Sequence, residues 1–159
     1  GYYSRLNGNK LGGRVSRLFV TPLVRALRKM LGANDYLEYL DSFRYPLAGE
    51  FAMRKDVVKT IRIPTDWGLE VGVLSEVYRN LHTSQICQVD IAKVYDHKHQ
   101  ELSPDDAAAG LSRMSNEIAK SVFRKLATEG VVMHSGFFRT LKAAYLRNTL
   151  DMLSQYKLD

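Results

Sequence analysis

The sequence predicts an α/β protein of one domain, or part of one. Several long segments carry apolar residues at helical spacing, and shorter segments between them alternate as strands do. The chain has 159 residues, of which 45% are hydrophobic and 25% charged. Such a balance lets an ordinary domain bury a core and argues against disorder.

The first half is expected to hold two helices and a strand. Residues 14–31, RVSRLFVTPLVRALRKML, have helical spacing, and Pro22 should kink or divide that helix. The preceding NGNKLGG, residues 7–13, is predicted to be a flexible loop. LAGEFAMR, residues 47–54, alternates like a short strand, and a helix should begin near Arg54 and end by Pro64.

The second half of the sequence is predicted to contain three helices and one strand. The first helix runs from Gly68 to about Leu81. CQVDIAKVYDH, residues 87–97, should be a strand with Cys87, Val89, Ile91 and Tyr95 on one face. The segment from Ser103 is the clearest helix, with a serine cap, a proline in its first turn, and a buried stripe of Leu111, Met114, Ile118, Val122 and Phe123. A last helix follows Ser135.

Two classes of protein are not expected. No window approaches the roughly 18 apolar residues of a membrane span, and the N-terminus lacks a signal-peptide core, so we expect a soluble, cytoplasmic protein. Cys87 is the only cysteine and cannot form an internal disulfide. We expect it to be a small core residue rather than a nucleophile.

The formal charge of +6 is unevenly spread. The first thirty residues contain no acid and seven cations: Arg5, Lys10, Arg14, Arg17, Arg25, Arg28 and Lys29. Such a block can hold phosphates or be a solvated helix face. Nucleic acid is the weaker specific interpretation, because neither an aromatic RNA-reading signature nor a clear helix-turn-helix is present.

Glu70, in DWGLEVG, lies near the first turn of its predicted helix. A carboxylate there interacts with the positive end of the helix dipole, worth about 0.3–1 kcal/mol. Alternatively, the turn at Trp67 and Gly68 presents Glu70 to a cleft, where it can bind hydroxyls or act as a base. Spacing alone leaves both interpretations open.

Two further stretches carry candidate ligands. In DHKHQ, residues 96–100, His97 and His99 would project to one side of an extended chain, as members of a metal site or as an exposed polar strand end. NGNKLGGRVS has the character of a phosphate-binding loop, since its glycines bare backbone amides and Arg14 and Ser16 add donors. It lacks the Walker pattern.

Four stretches in order, GGRVSRLFVTPLVRAL, YPLAGEFAMRKDVVKTI, PTDWGLEVGVLSEVYRN and QVDIAKVYDHKHQ, resemble the second half of the glucosyl-3-phosphoglycerate synthase family. The resemblance covers Gly12 to about Gln100, and the helices beyond resemble longer members. It implies the acceptor-binding half of a GT-A (nucleotide-diphospho-sugar transferase) fold over residues 1–102, with additional C-terminal helices over 103–159.

The resemblance implies transfer of glucose, with retention, from a nucleoside diphosphate glucose to the 2-hydroxyl of 3-phosphoglycerate. Arg14 and Ser16, with Gly13, would hold the acceptor, and Glu70 would lie at the sugar and acceptor. His97 would bind a divalent cation, Mg or Mn, while Trp67 and His99 would bind substrate. A cytoplasmic homodimer that binds neither nucleic acid nor membrane is the corresponding expectation.

The chain departs from the family's pattern in ways that matter. Serine stands at position 16 where threonine is usual, and Trp67 stands where tyrosine is usual; Tyr95 replaces an arginine of some relatives. No two aspartates are separated by one residue, so the Asp-x-Asp motif of a nucleotide-binding half is missing. We therefore expect an inactive fragment of the enzyme. The alternatives are a mannosyl-3-phosphoglycerate synthase and a noncatalytic phosphate- or nucleic-acid-binding module.

Overall fold

The structure is a computed structural model that describes residues 2–4, 6–7, 10–11, 13–94 and 110–158. Its strands are β1 (Tyr2–Ser4), β2 (Leu6–Asn7), β3 (Lys10–Leu11) and β4 (Asp90–Val94). Its α-helices are α1 (Thr21–Leu31), α2 (Asp35–Asp41), α3 (Lys55–Thr60), α4 (Leu69–Asn80), α5 (Gly110–Thr128) and α6 (Ser135–Leu158). The described part is thus mostly helical, with few and short strands.

The strands form two small sheets. β1 pairs with β4 in parallel, from Tyr2 opposite Asp90 to Ser4 opposite Val94. β2 and β3 form an antiparallel pair, so the stretch predicted as a loop contains the partners Asn7 and Lys10. The α/β expectation therefore holds only in the coarse sense that both kinds of element occur.

The strand predicted over residues 47–54 was wrong. These residues have no regular secondary structure, and no described strand runs beside them. The segment instead lines a pocket, to which Glu50, Phe51 and Met53 contribute. A strand needs a neighbour for its backbone hydrogen bonds, and this segment lacks one among the described residues.

The second predicted strand is shorter than expected. It begins at Asp90 rather than Cys87, while Tyr95 and His97 lie outside the described residues. On the face predicted to hold Val89 and Ile91, these two side chains are exposed, at 55% and 46%. Cys87 is also exposed, so its prediction as a core residue was wrong.

The helices were predicted more closely. A π-helical turn, Ser16–Val20, leads into α1, and Pro22 lies in the first turn of α1, which confirms the expected division. α3 begins directly after Arg54 but ends at Thr60, before Pro64 is reached. α4 confirms the helix expected from Gly68 to Leu81, with those two residues as its caps.

One main core joins α1, α2, α4, α5 and α6. α5 contributes the predicted stripe, in which Ile118 and Val122 are fully buried and Leu111, Met114 and Phe123 pack at the margin. The N-terminal part of this helix prediction, residues 103–109, lies outside the described residues. A smaller buried cluster lies beside the main core. It is made by Val57 of α3, by Ile61 directly after α3, and by Val73 and Val77 of α4.

Polar contacts fix α6 against α1. Lys29 Nζ donates to Asn148 Oδ1 at 2.7 Å, and Asn148 Nδ2 donates to the Pro22 carbonyl at 3.3 Å. Tyr145 Oη donates to the Leu18 carbonyl at 2.9 Å. Asn148 is only 6% exposed, and these bonds satisfy its buried amide at the contact between the two helices.

Candidate functional site

A pocket of about 260 Å³ opens between the segment that precedes α3, the helix α4 and the residues that follow α4. Its walls are mainly apolar, and three charged side chains, Glu50, Arg54 and Glu70, interrupt them. The apolar part includes Phe43, Met53, Val57, Val73, Val77 and Ile86. A mostly apolar cleft with a few polar groups is typical of small-molecule sites.

Glu70 lies in the first turn of α4 and lines this pocket. Burial raises the pKa of its carboxyl group, and the nearby charge of Glu50 raises it further. A hydrogen bond from its own backbone N–H offsets part of that rise. The position of Glu70 is therefore compatible with both interpretations, the helix-dipole one and the cleft one, because its carboxylate lies at a helix N-terminus and also at a pocket.

The turn before α4 is held by hydrogen bonds to its backbone amides. The Gly68 N–H donates to Asp66 Oδ1 at 2.9 Å, and the Trp67 N–H donates to Glu117 Oε2 of α5 at 2.8 Å. A Cβ on Gly68 would lie 2.9 Å from Asp66 Oδ1 and 3.1 Å from Ser121 Cβ. A side chain here would force the Asp66 carboxylate to move and α5 to yield by a few tenths of an ångström, so glycine lets the turn lie close against α5.

A second glycine brings α4 close to the chain that leads into it. A Cβ on Gly72 would overlap the ring of Pro64. The glycines on either side of Glu70 thus allow close approach, one to α5 and the other to Pro64. Together they explain why a carboxylate in an otherwise apolar run is flanked by glycines.

Trp67 is exposed to 39% and is not among the side chains that line the pocket. Its backbone contributes to the site by fixing the turn. Its predicted contact with substrate stays a prediction.

The residues predicted to bind the acceptor lie at the start of the first helical segment. Gly13 has a φ of +66°, a left-handed conformation that favours glycine, and its carbonyl accepts from the Arg17 N–H at 3.1 Å. Arg14 is half-buried, and Ser16 is 2% exposed. Within the described part of the chain, Ser16 Oγ has no hydrogen-bond partner.

The structure does not bring all the predicted site residues into one cavity. The pocket contains Glu70, but Gly13, Arg14 and Ser16 are not among its lining residues. His97 and His99 lie outside the described residues. The roles predicted for these five residues therefore stay predictions.

Much of the basic N-terminal block is engaged within the protein. Arg25 and Arg28 both bind Asp41, at 3.1 and 2.5 Å, and Arg28 also approaches Glu38 at 3.6 Å. Lys29 binds Asn148, as described above. The Arg17 guanidinium lies over the ring of Tyr156, 5.6 Å from its centroid. Among the described residues, internal contacts thus account for at least four of the seven cations, which weakens the nucleic-acid interpretation of this block.

The sequence did not indicate one residue of the pocket, Glu50, or Glu117, which supports the turn beside it. Glu50 lies in YPLAGEFAMR, a stretch used for the resemblance, but its alternating pattern indicated a strand. Glu117 has Arg113 four residues before it, which reads as an ordinary surface ion pair on a helix. Several carboxylates, including Asp66 and Glu76, are closer to Glu70 in sequence than Glu50 is, so no local signal points to Glu50 or to Glu117.

No metal centre is visible in the part of the chain that the structure describes. Residues 13–94 and 110–158 contain no group of three or more His, Cys, Asp or Glu side chains placed to hold a metal ion. The described residues alone therefore do not form a metal site.

The chain is similar in sequence to glucosyl-3-phosphoglycerate synthases. It is 49% identical over 156 residues to the synthase of Persephonella marina, covering 98% of this chain and 38% of that protein. It is 44% identical over 163 aligned positions to the synthase of Methanococcoides burtonii, covering 100% of this chain and 39% of that protein. The synthase of Mycobacterium tuberculosis is 30% identical over 102 residues, covering 64% of this chain and 28% of that protein.

The chain spans about two fifths of the length of the first two relatives. No protein-family model matches the chain, and no solved structure matches it. No helix in the described residues is both long and apolar enough to cross a membrane.

These similarities place the chain among the glycosyltransferases. More narrowly, it belongs to the glucosyl-3-phosphoglycerate synthase family and corresponds to the C-terminal part of those proteins.

Proposed function

We propose that this chain is the acceptor-side part of an enzyme that transfers glucose, with retention, from a nucleoside diphosphate glucose to the 2-hydroxyl of 3-phosphoglycerate. The observation that carries the proposal is the 49% and 44% identity to two synthases of that name along essentially the whole chain. The product would be the phosphorylated precursor of glucosylglycerate. We propose a GT-A fold for the complete protein, with its nucleotide-binding half outside residues 1–159.

Within this chain, we assign Glu70 to the reacting end of the substrates. Its carboxylate lies at an apolar pocket, where hydrogen bonds to a sugar or acceptor hydroxyl meet less competition from water. The reaction needs hydroxyl groups held at a defined distance from the sugar carbon, and a half-buried carboxylate on a helix terminus is a rigid acceptor for them. Glu70 would position the acceptor rather than attack the sugar.

Arg14 and Ser16 are assigned to the phosphate and carboxylate of the acceptor. Arginine pairs with such anions through two parallel N–H bonds. The buried hydroxyl of Ser16 lacks a hydrogen-bond partner among the described residues, as expected of a group that a ligand or another segment completes. Gly13 would let the backbone approach the acceptor closely, and Trp67 and His99 would contact substrate.

The chemistry builds positive charge on the sugar and negative charge on the leaving diphosphate. Retention in one step requires attack from the face that the diphosphate leaves, and the leaving phosphate can then accept the proton of the acceptor hydroxyl. A divalent cation, Mg or Mn, held in part by His97, would offset the charge of the diphosphate when bound. The residues of this chain would bind the acceptor, orient its hydroxyl and exclude water.

The experiment that tests the proposal uses the full-length protein. It is incubated with a nucleoside diphosphate glucose, 3-phosphoglycerate and Mg²⁺, and formation of glucosyl-3-phosphoglycerate is followed by mass spectrometry. Its anomeric configuration is determined by NMR. Absence of transfer to 3-phosphoglycerate with every glucose nucleotide tested would contradict the proposal.

Competition between glucose and mannose donors separates this activity from that of a mannosyl-3-phosphoglycerate synthase, which no observation favours here. The noncatalytic alternative predicts strong, salt-sensitive binding to unrelated DNA or RNA, because neutralising phosphates releases counterions. We propose a cytoplasmic homodimer. Sedimentation of the full-length protein tests the dimer.

A further inference from the structure

Two segments fifty residues apart in sequence meet beside Glu70. The backbone N–H of Trp67, in the turn before α4, donates to Glu117 Oε2 of α5 at 2.8 Å. The other oxygen, Oε1, accepts from Arg113 Nε at 3.0 Å. Both oxygens of Glu117 are therefore engaged, one by the turn and one by the helix on which the residue lies.

The turn also lies directly on the surface of α5. A Cβ built on Gly68 would be 3.1 Å from Ser121 Cβ and 3.3 Å from the Glu117 carbonyl oxygen. The backbone at Gly68 is thus in close contact with the helix, and it is two residues from Glu70. Any movement of the turn relative to α5 would move the first turn of α4 and the carboxylate that it carries.

We propose that Glu117 is a positioning residue for the site, which acts through the Trp67 backbone to fix the place of Glu70 at its pocket. The inference rests on the role of Glu70 in the proposed function. Glu117 does not itself line the pocket. Through Glu117, the helix α5 of the C-terminal helical segment would hold the turn that carries Glu70.

The charge state of Glu117 suits this task. The hydrogen bond from the Trp67 N–H lowers the pKa of the Glu117 carboxyl, and the hydrogen bond and charge of Arg113 lower it further. Lys120 adds a smaller effect in the same direction. The group is therefore an anion at neutral pH, and a carboxylate is a stronger acceptor for an amide than a neutral side chain.

Three variants of the full-length protein separate this role from a general structural one. Glu117→Leu removes the acceptor, and Glu117→Gln keeps one acceptor oxygen without charge. Arg113→Gln is the matched control, because it breaks the ion pair but leaves the bond to Trp67. Melting temperatures of all three identify any variant that fails to fold.

The first readout is hydrogen exchange of the backbone amides of residues 66–70. The amide of Trp67, the donor to Glu117, is the one that reports on the proposed contact. We expect exchange at Trp67 to be at least about tenfold faster in Glu117→Leu and partly restored in Glu117→Gln. In Arg113→Gln it should stay near that of the parent. Unchanged exchange in a folded Glu117→Leu protein would overturn the proposed contact.

The second readout is the site itself. We expect Glu117→Leu to lower kcat about tenfold or more with little change in the donor KM, and Glu117→Gln to recover part of that loss. NMR titration of Glu70 gives a measure that does not depend on activity, and its pKa should move towards the ordinary value in Glu117→Leu. Faster exchange with an unchanged kcat and an unchanged Glu70 pKa would show that Glu117 positions nothing.

The two proposals fail in distinguishable ways. If the parent protein transfers no glucose, the proposed function is wrong, and hydrogen exchange with the Glu70 titration still decides whether Glu117 holds the turn. If the parent is active but the variants match it in all three measurements, only the role of Glu117 is refuted.

Discussion

Glu50 and Glu70 line the same pocket from two different elements, and the charge of Glu50 raises the pKa of Glu70. Glu50 belongs to the irregular segment before α3, while Glu70 belongs to the first turn of α4. Two like charges near an apolar cavity repel each other, so the charge of Glu50 disfavours the ionised form of Glu70. The pair therefore couples the protonation of Glu70 to a residue twenty positions away.

Glu50→Gln should lower the pKa of Glu70. The remaining pKa should still exceed the ordinary value, because burial is the larger cause of the rise and the substitution does not remove it. If transfer requires ionised Glu70, the acidic limb of the activity profile should move to lower pH. NMR titration of the carboxyl group and pH–rate profiles of the full-length protein measure the two effects.

Glu76→Gln provides the matched control for this experiment. Glu76 lies on the same helix but not at the pocket, and its carboxylate accepts from the Arg62 N–H at 2.9 Å. It should leave the titration of Glu70 unchanged. An equal shift in both variants would mean that the effect is a general one of net charge.

Glu70→Gln should reduce turnover by roughly a hundredfold, about 2.7 kcal/mol of barrier, if the carboxylate orients the reacting hydroxyl. A residue that served only the helix dipole would contribute about 0.3–1 kcal/mol to stability and little to turnover. The measurement is kcat of the full-length protein at saturating donor, acceptor and metal. Near-normal turnover in a folded variant would remove Glu70 from the reaction.

The same variant should change the dependence of stability on pH. A raised pKa means that the folded state binds the proton of Glu70 more tightly than the unfolded state does. The stability of the parent therefore falls as pH rises from the ordinary value of 4.5 through the raised pKa, and the glutamine variant lacks this loss. The melting temperature of Glu70→Gln relative to the parent should increase between pH 4 and neutrality, and a decrease over that range would contradict the raised pKa.

Arg14→Ala should weaken 3-phosphoglycerate far more than the donor sugar. A charge-assisted hydrogen bond to an anion is worth on the order of 1.5–3 kcal/mol, so the acceptor KM should rise roughly tenfold to a hundredfold. Arg17→Ala is the matched control, since Arg17 lies over the ring of Tyr156 rather than at the predicted acceptor loop. Equal acceptor KM values in Arg14→Ala and the parent would refute the assignment.

Asn148→Leu should destabilise the protein by about 1–3 kcal/mol, because it removes the nearly buried amide that bonds to the Lys29 ammonium and to the Pro22 carbonyl. Tyr145→Phe removes only the single hydrogen bond to the Leu18 carbonyl and should cost about 0.5–1.5 kcal/mol. Urea denaturation of the full-length protein gives both values. A loss for Asn148→Leu no larger than that for Tyr145→Phe would mean that the buried amide contributes little to the docking of α6.

The sequence by itself determined the helices and the family. The division at Pro22, the extent of α4 and the buried stripe of α5 follow from local rules, because a helix satisfies its own backbone hydrogen bonds and shows its buried face as a period of 3.6 residues. The first-turn place of Glu70 follows from the same periodicity. The family was indicated by four stretches in their order along the chain, without any knowledge of contacts.

Only the tertiary structure decided what those segments contact. Alternation over residues 47–54 predicts a strand, but among the described residues no strand pairs with this segment. It lines the pocket instead, where Glu50 lies with Glu70. The bond between Trp67 and Glu117 spans fifty residues and leaves no mark on either local pattern. Strand pairing, pockets and such contacts depend on how all the elements pack together, whereas helical periodicity is complete within a single segment.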